Sequence, residues 1–300
     1  MFSSMFDLFR THEFVQNAFL AGTMVAIIAG VIGYFVVLRA QTFATDSLSH
    51  ISFAGATGAV IIGLSSLIGM FVLTVLASLG MGALGNRVRG RDVETGMVLA
   101  FALGLGVLFL SIYTQGATEA VGVLFGSILS VSHENLIATL VVGGIALLII
   151  ACIFRPLLFV SIDPEVAATR GVPLRLLSML FLLLLAMTIT VSVQVVGVLL
   201  VFALLIAPAA AAERVTHRPV TSIALSIVLG LVCVWGGLFL AFFGMWEQLP
   251  VSFYISVLAA LSYFLSLGIG RIRSSRRDIR QTPRHHDHQE PSTYISVAGH

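Results

Sequence analysis

Asp46 and His50 stand four residues apart at the head of an apolar run, within the stretch Arg39 to Gly63. A helix would bring this carboxylate and imidazole onto one face as two potential metal ligands. Continued at the same spacing, the stripe reads Asp46, His50, Ala54, Gly58, and the neighbouring stripe Gly55, Ala59, Gly63 is small throughout. Such a face lets another helix approach closely, or leaves room for something to pass. A plainer reading is also open: Asp46 is a favoured N-cap residue with Ser47, Leu48 and Ser49 behind it, and His50 then hydrogen-bonds a neighbouring helix. If the helix begins near Thr42, His50 is its ninth residue, roughly 12 Å along the axis and close to a bilayer midplane. A buried ionisable pair at that depth is a functional hypothesis by default.

Three other groups carry chemistry. From Asp163 to Gly171 the chain reads as a short helix of two turns. Asp163 stands before Pro164, Glu165 falls in the first turn, Ala167 and Ala168 follow, and Gly171 and Pro173 close the stretch. His133 and Glu134 sit side by side at the start of an apolar run, where a cap and a ligand set are both open readings. His285, His286 and His288 cluster in the polar tail, which reads as a solvated basic segment able to attract anionic lipid or to chelate a metal.

The elements that must position these residues follow from composition. Of 300 residues, 58% are hydrophobic and only 10% charged, against about 25% charged in an ordinary soluble domain. Apolar runs near bilayer length recur along the chain, so the fold class is all-α, a polytopic transmembrane bundle. The net charge is +2, and all sixteen basic residues are Arg. With no Lys, a nucleotide-binding P-loop is excluded, so any ATP hydrolysis belongs to another chain. Cys152 and Cys233 lie inside apolar runs and indicate no disulfide framework. The acids Asp7 and Glu13 around Arg10 do not read as a cleavable signal peptide.

Nine spans are expected, near 14–38, 42–62, 68–86, 93–112, 135–154, two within 174–211, 219–243 and 252–270. The fifth is expected to end at Arg155 and Pro156. The pair within 174–211 is expected to turn near Ser192, Val193 and Gln194, and Pro208 to kink the second of them. Val121 to Val131 is too short to span and reads as an interfacial or re-entrant helix. With residues 1–13 outside the cell, every Arg except Arg10 then falls on the cytoplasmic side, as the positive-inside rule requires. Residues 14–270 form the permeation domain in this reading, and 271–300 a basic, disordered cytoplasmic tail.

Val37, Leu38 and Arg39, followed by Asp46 to Gly55, resemble the signature of the membrane permeases of bacterial ABC importers for zinc, manganese and iron. Asp92 with Gly96, Leu124 to Leu129, Ile162 to Gly171, Val196 to Leu200 and Leu205 to Ala210 are similar to successive blocks of that family. The resemblance covers about 14–270. It implies a multi-pass permease of the bacterial cytoplasmic membrane, paired with a second copy or a paralogue, two cytoplasmic ATPases and an extracellular or periplasmic metal-binding protein. It also implies that Asp46 and His50 match the family's intramembrane metal site, with no permanently bound cofactor and Zn²⁺, Mn²⁺ or Fe²⁺ as cargo. Carboxylate with imidazole suits Zn²⁺ and Mn²⁺, and two copies across a dimer axis would supply four ligands. By the same resemblance, Asp163, Pro164, Glu165, Ala167, Ala168 and Gly171 form the coupling helix that docks on the ATPase, and His133 and Glu134 face the binding protein.

The rival classes fit less well. An intramembrane protease needs an H-E-x-x-H motif or a Ser–His pair within the spans, and neither is present. An ion-coupled secondary metal transporter is a second rival; proton relays use chains of acids and histidines through the membrane, whereas Asp46 and His50 stand almost alone there. A permease for siderophores or cobalamin shares the coupling-loop logic but has no need of Asp46 or His50. No feature suggests nucleic-acid binding.

Overall fold

Backbone polar groups in lipid must be paired within the chain, and a run of apolar residues does this by coiling. The computed structural model describes residues 13–84, 92–112, 131–216, 218–243 and 250–281, together with Gly122 and Gly126. Among them are ten helices and no strand. They are α1 (Glu13–Leu38), α2 (Thr42–Ile61), α3 (Ser66–Leu84), α4 (Asp92–Ile112), α5 (His133–Ile162), α6 (Pro164–Thr169), α7 (Leu174–Val196), α8 (Val198–Val215), α9 (Pro219–Phe243) and α10 (Val251–Gln281). The N-terminal dozen residues, the Arg87–Arg91 loop, the link Tyr113–Ala120, most of 121–131, His217, 244–249 and the tail histidines lie outside the described residues.

Eight of these helices are long and apolar enough to cross a membrane by length and composition. The helix α2, expected as a further crossing, is not among them, because its polar residues dilute its hydropathy. It does not need an apolar surface all round, because α3, α4, α7 and α8 pack around it. Contacts between helix ends give the directions. The first half of α7 meets the last turn of α1, where Phe35 packs on Phe181 at 6.2 Å between ring centroids. The second half of α8 meets the same region, since Gly33 of α1 lies against the Leu205 carbonyl and Ala209. The helices α7 and α8 are therefore antiparallel crossings. Arg39, Arg155, Arg170, Arg175, Arg214 and Arg218 then all belong to the end of the bundle where α1 finishes and α2 starts.

Three boundaries differ from expectation. The helix α5 does not end at Arg155 and Pro156 but runs on to Ile162, 30 residues in all. Proline removes one backbone bond, which membrane helices tolerate when neighbours re-satisfy the freed groups. Beyond it, Leu157 and Val160 are buried, so packing holds the last two turns. At 1.5 Å per residue α5 is roughly 45 Å long, more than a hydrocarbon core of about 30 Å, so its arginine-bearing end projects. The second difference is the turn between α7 and α8. Ser192 and Val193 are buried within α7, and the break falls at Gly197 with φ 87° and ψ 161°. That region of backbone space is open to glycine almost alone. Gly126 lies directly against the Val196 carbonyl there, so a side chain on Gly126 would have no room. The last helix, α10, continues past Arg271 to Gln281.

Candidate metal site and docking loop

The site helix α2 starts from a fixed turn. Ala40 N–H donates to the Val37 carbonyl at 3.0 Å and Gln41 N–H to Val36 at 2.9 Å, the paired bonds of a Schellman motif. Its pivot, Ala40, has φ 53°, a left-handed conformation usually left to glycine. Gln41 then occupies the N-cap position of α2, without a side-chain cap bond. Asp46 is the fifth residue of the helix, which removes the capping role.

The Asp46 Oδ1 and His50 Nε2 atoms lie 3.6 Å apart, beyond hydrogen-bonding range, with the side chains 36% and 32% exposed. Most of α2 is buried, so this open pair stands out. The hydroxyls around it turn inward on their own helix. Thr45 donates to the Gln41 carbonyl, Ser49 to Thr45 and Ser52 to Ser49, at 3.1, 2.9 and 2.6 Å. Ser47 Oγ is the exception, buried with no partner.

The open face does not continue along Ala54 and Gly58. Steps of four residues advance about 40° beyond a full turn, so by the third step the stripe has rotated away. Residues seven and eleven positions on, Phe53 and Thr57, return to within about 20° of Asp46, and both are partly exposed. The small residues serve packing instead. A Cβ on Gly55 would press into the Gly69 carbonyl of α3 and come within 3.0 Å of the Met70 Cα. Ala54 faces Gly106, and Gly58 faces the Phe109 ring, both on α4. Of the two uses open to the small stripes, close helix approach is the one observed.

Among the described residues, no three His, Cys, Asp or Glu side chains gather to hold a metal ion. One chain thus offers two donors from α2, half of a tetrahedral set. His133 and Glu134 lie on the first turn of α5 at the opposite end from Arg39, both exposed. The capping role there belongs to Ser132, whose Oγ accepts from Asn135 N–H at 3.3 Å.

At the arginine-bearing end, the Asp163–Gly171 segment takes the expected helical form. Asp163 Oδ1 accepts from Val166 N–H at 3.0 Å, Pro164 fills the first helical position, and α6 spans six residues. Ala167 is fully buried against Val160 of α5 and Leu177 of α7. Gly171, with φ 76°, closes α6 by donating to the Ala168 carbonyl, while Val172 donates to Ala167. Glu165 and Ala168 point outward. So do Ile162 and Val166, 64% and 43% exposed, an apolar surface that the sequence reading did not single out. It also missed what Arg39 does. The guanidinium donates to Ser178 Oγ of α7 at 2.7 Å and to Ser161 Oγ of α5 at 3.3 Å, and it lies 5.3 Å from the Phe181 ring centroid.

The family model described as ABC 3 transport family matches residues 11–269. The chain is 32% identical over 263 residues to the manganese transport system membrane protein MntC of Halalkalibacterium halodurans, covering 87% of this chain and 90% of that one. To the manganese import system permease protein ScaB of Streptococcus parasanguinis it is 32% identical over 243 residues, covering 81% and 86%. Its fold is similar to a chain of the solved structure of PsaBC from Streptococcus pneumoniae in complex with Fab. There the TM-score is 0.78 and the identity 30%, covering 89% of this chain and 95% of that one. The chain belongs to the ABC 3 transport family and is a multi-pass membrane permease.

Proposed function

We propose that this member of the ABC 3 transport family is the permease subunit of an ATP-driven importer for a divalent transition metal in a bacterial cytoplasmic membrane, with Mn²⁺ as its cargo. The observation that carries the reading is the half-open Asp46–His50 pair on a helix most of which is buried, two donors of the four to six that a divalent transition metal takes. A second copy of the chain, set with its α2 facing this one, completes the set with two carboxylates and two imidazoles. Relatives named for manganese transport support Mn²⁺ over Zn²⁺ or Fe²⁺. Hard carboxylate oxygens with imidazole accommodate it.

The rest of the molecule fits the same reading. The arginine-bearing end is cytoplasmic by the positive-inside rule. There α6 offers Glu165, Val166, Ala168 and Ile162 to an ATPase carried by separate subunits, because this chain has no P-loop lysine. His133 and Glu134, at the outer end, face a metal-binding protein that delivers the ion. Each cycle then takes the ion from that protein to the α2 ligands and releases it inward.

Uptake of radioactive Mn²⁺ by cells that depend on this permease tests the ligand assignment, with membrane abundance followed by immunoblot. His50→Ala abolishes uptake. Asp46→Asn does nearly the same, because the amide keeps the shape but removes the charge that offsets the cation. Uptake at the wild-type rate by Asp46→Asn, at equal abundance, refutes Asp46 as a ligand.

A further inference from the structure

We infer that Arg39 is the positioning residue that ties the docking loop to the metal ligands, so that movement of α6 is passed to α2. The inference rests on the transport reading above. It starts from two units that pack on each other through apolar side chains, Phe35 against Phe154 and Phe181 among them, and that Arg39 joins by hydrogen bonds at the docking end. The first is α5–α6–α7, locked together by Ala167, which is fully buried between Val160 and Leu177 on the flanking helices. The second is the α1–α2 junction, where the left-handed Ala40 turn sets the direction in which α2 leaves. Arg39 belongs to the second unit by its backbone, which donates to the Phe35 carbonyl at 3.0 Å. It belongs to the first by its side chain, bonded to Ser161 and Ser178 and lying against the Phe181 ring.

The positions along the chain make this a short lever. Ser161 is two residues before Asp163, the cap of α6, and Ser178 is in the second turn of α7. Asp46 is seven residues beyond Arg39, and four residues into α2 from Thr42, about 6 Å along the axis at 1.5 Å per residue. The guanidinium fork suits such a junction. It holds two acceptors in fixed directions at once, which a lysine ammonium on a flexible stem does not. With the fork intact, a shift of α6 carries the base of α2 with it. With it cut, only apolar packing links the two units, so α2 follows α5–α6–α7 less closely and more ATP is spent for each ion released.

The test uses the complete complex of permease and ATPase in proteoliposomes, with ATP hydrolysis and radioactive Mn²⁺ uptake measured in the same vesicles. The variants are Arg39→Lys, which keeps the charge and loses the fork, and Ser178→Ala, which removes the shorter bond and leaves Arg39 in place. Both are expected to assemble and hydrolyse ATP within about twofold of wild type. Uptake per ATP is expected to fall roughly tenfold, the scale of one lost charge-assisted hydrogen bond. A wild-type ratio of uptake to hydrolysis in both variants overturns the inference. So does a parallel fall in assembly, hydrolysis and uptake, which would make Arg39 an anchor of the fold alone. Failure of the transport reading looks different: the unmodified complex itself imports no Mn²⁺ under ATP.

Discussion

Replacing Asp163 separates the two things a carboxylate can do at the head of a docking helix. With six residues α6 is far too short to persist on its own. It is held by one buried side chain, Ala167, by Pro164 at its first position, by the Gly171 closure, and by the Asp163 cap. The cap bond from Val166 N–H is 3.0 Å long. Loss of such a cap costs about 1 kcal/mol. With RT near 0.6 kcal/mol, that lowers the folded population of a marginal helix roughly fivefold. Asp163→Ala is therefore expected to weaken binding of the ATPase subunit by up to about fivefold, while Asp163→Asn, an equally good cap, changes it by less than about twofold. The measurement is a titration of purified ATPase against the permease in nanodiscs. Equal damage from Asn and Ala would show that the charge itself meets the partner. A silent Ala variant would show that α6 forms without its cap. Either result refutes the reasoning.

Ala40→Gly relieves the left-handed pivot before α2 and is expected to raise the melting temperature in detergent. The gain is up to about 1 kcal/mol, since glycine's greater freedom in the unfolded chain offsets part of the relief. Gly55→Val forces α2 and α3 apart at the Gly69 carbonyl and is expected to cost at least about 1–3 kcal/mol, read as a lower melting temperature and lower membrane yield. A normal melting temperature for Gly55→Val would mean that the two helices do not pack at this point.

The sequence was most legible where one physical constraint acts alone. Bilayer thickness sets helix length, so the apolar runs gave most of the crossings. Asp163, Pro164 and Gly171 each occupy the position that their own backbone chemistry favours, which made α6 readable to the residue. Legibility failed where tertiary packing overrides a local signal. Arg155 and Pro156 look like a helix end, but Leu157 and Val160 find partners and carry α5 onward. Ser192 and Gln194 look like a turn, but the interior of α7 accepts them, and the single glycine at 197 reverses the chain instead. The clamp at Arg39 was beyond local reading altogether. Its acceptors lie 122 and 139 residues away, and serine has no periodicity to announce a partner.

The same principle accounts for α2. A carboxylate in an isolated spanning helix carries an insertion cost, at most roughly 2.5–3.5 kcal/mol at its centre, yet α2 carries Asp46 as its fifth residue, then His50 and a series of hydroxyls. Thr45, Ser49, Ser52 and Thr57 remove most of their own cost by bonding carbonyls of the same helix. Packing by α3, α4, α7 and α8 then covers the apolar and small faces. Asp46, His50, Phe53 and Thr57 remain partly exposed as one strip, with Phe43 exposed at the head of the helix. Left against lipid, that strip keeps the cost of Asp46. In the proposed pairing the strip faces its own image in a second copy, where its four donors would hold one divalent cation and turn a charge that destabilises a single chain into one that binds the cargo. The polarity of α2 is thus a reason for metal binding in the proposed pairing, because pairing without the cation sets two carboxylates together without compensation.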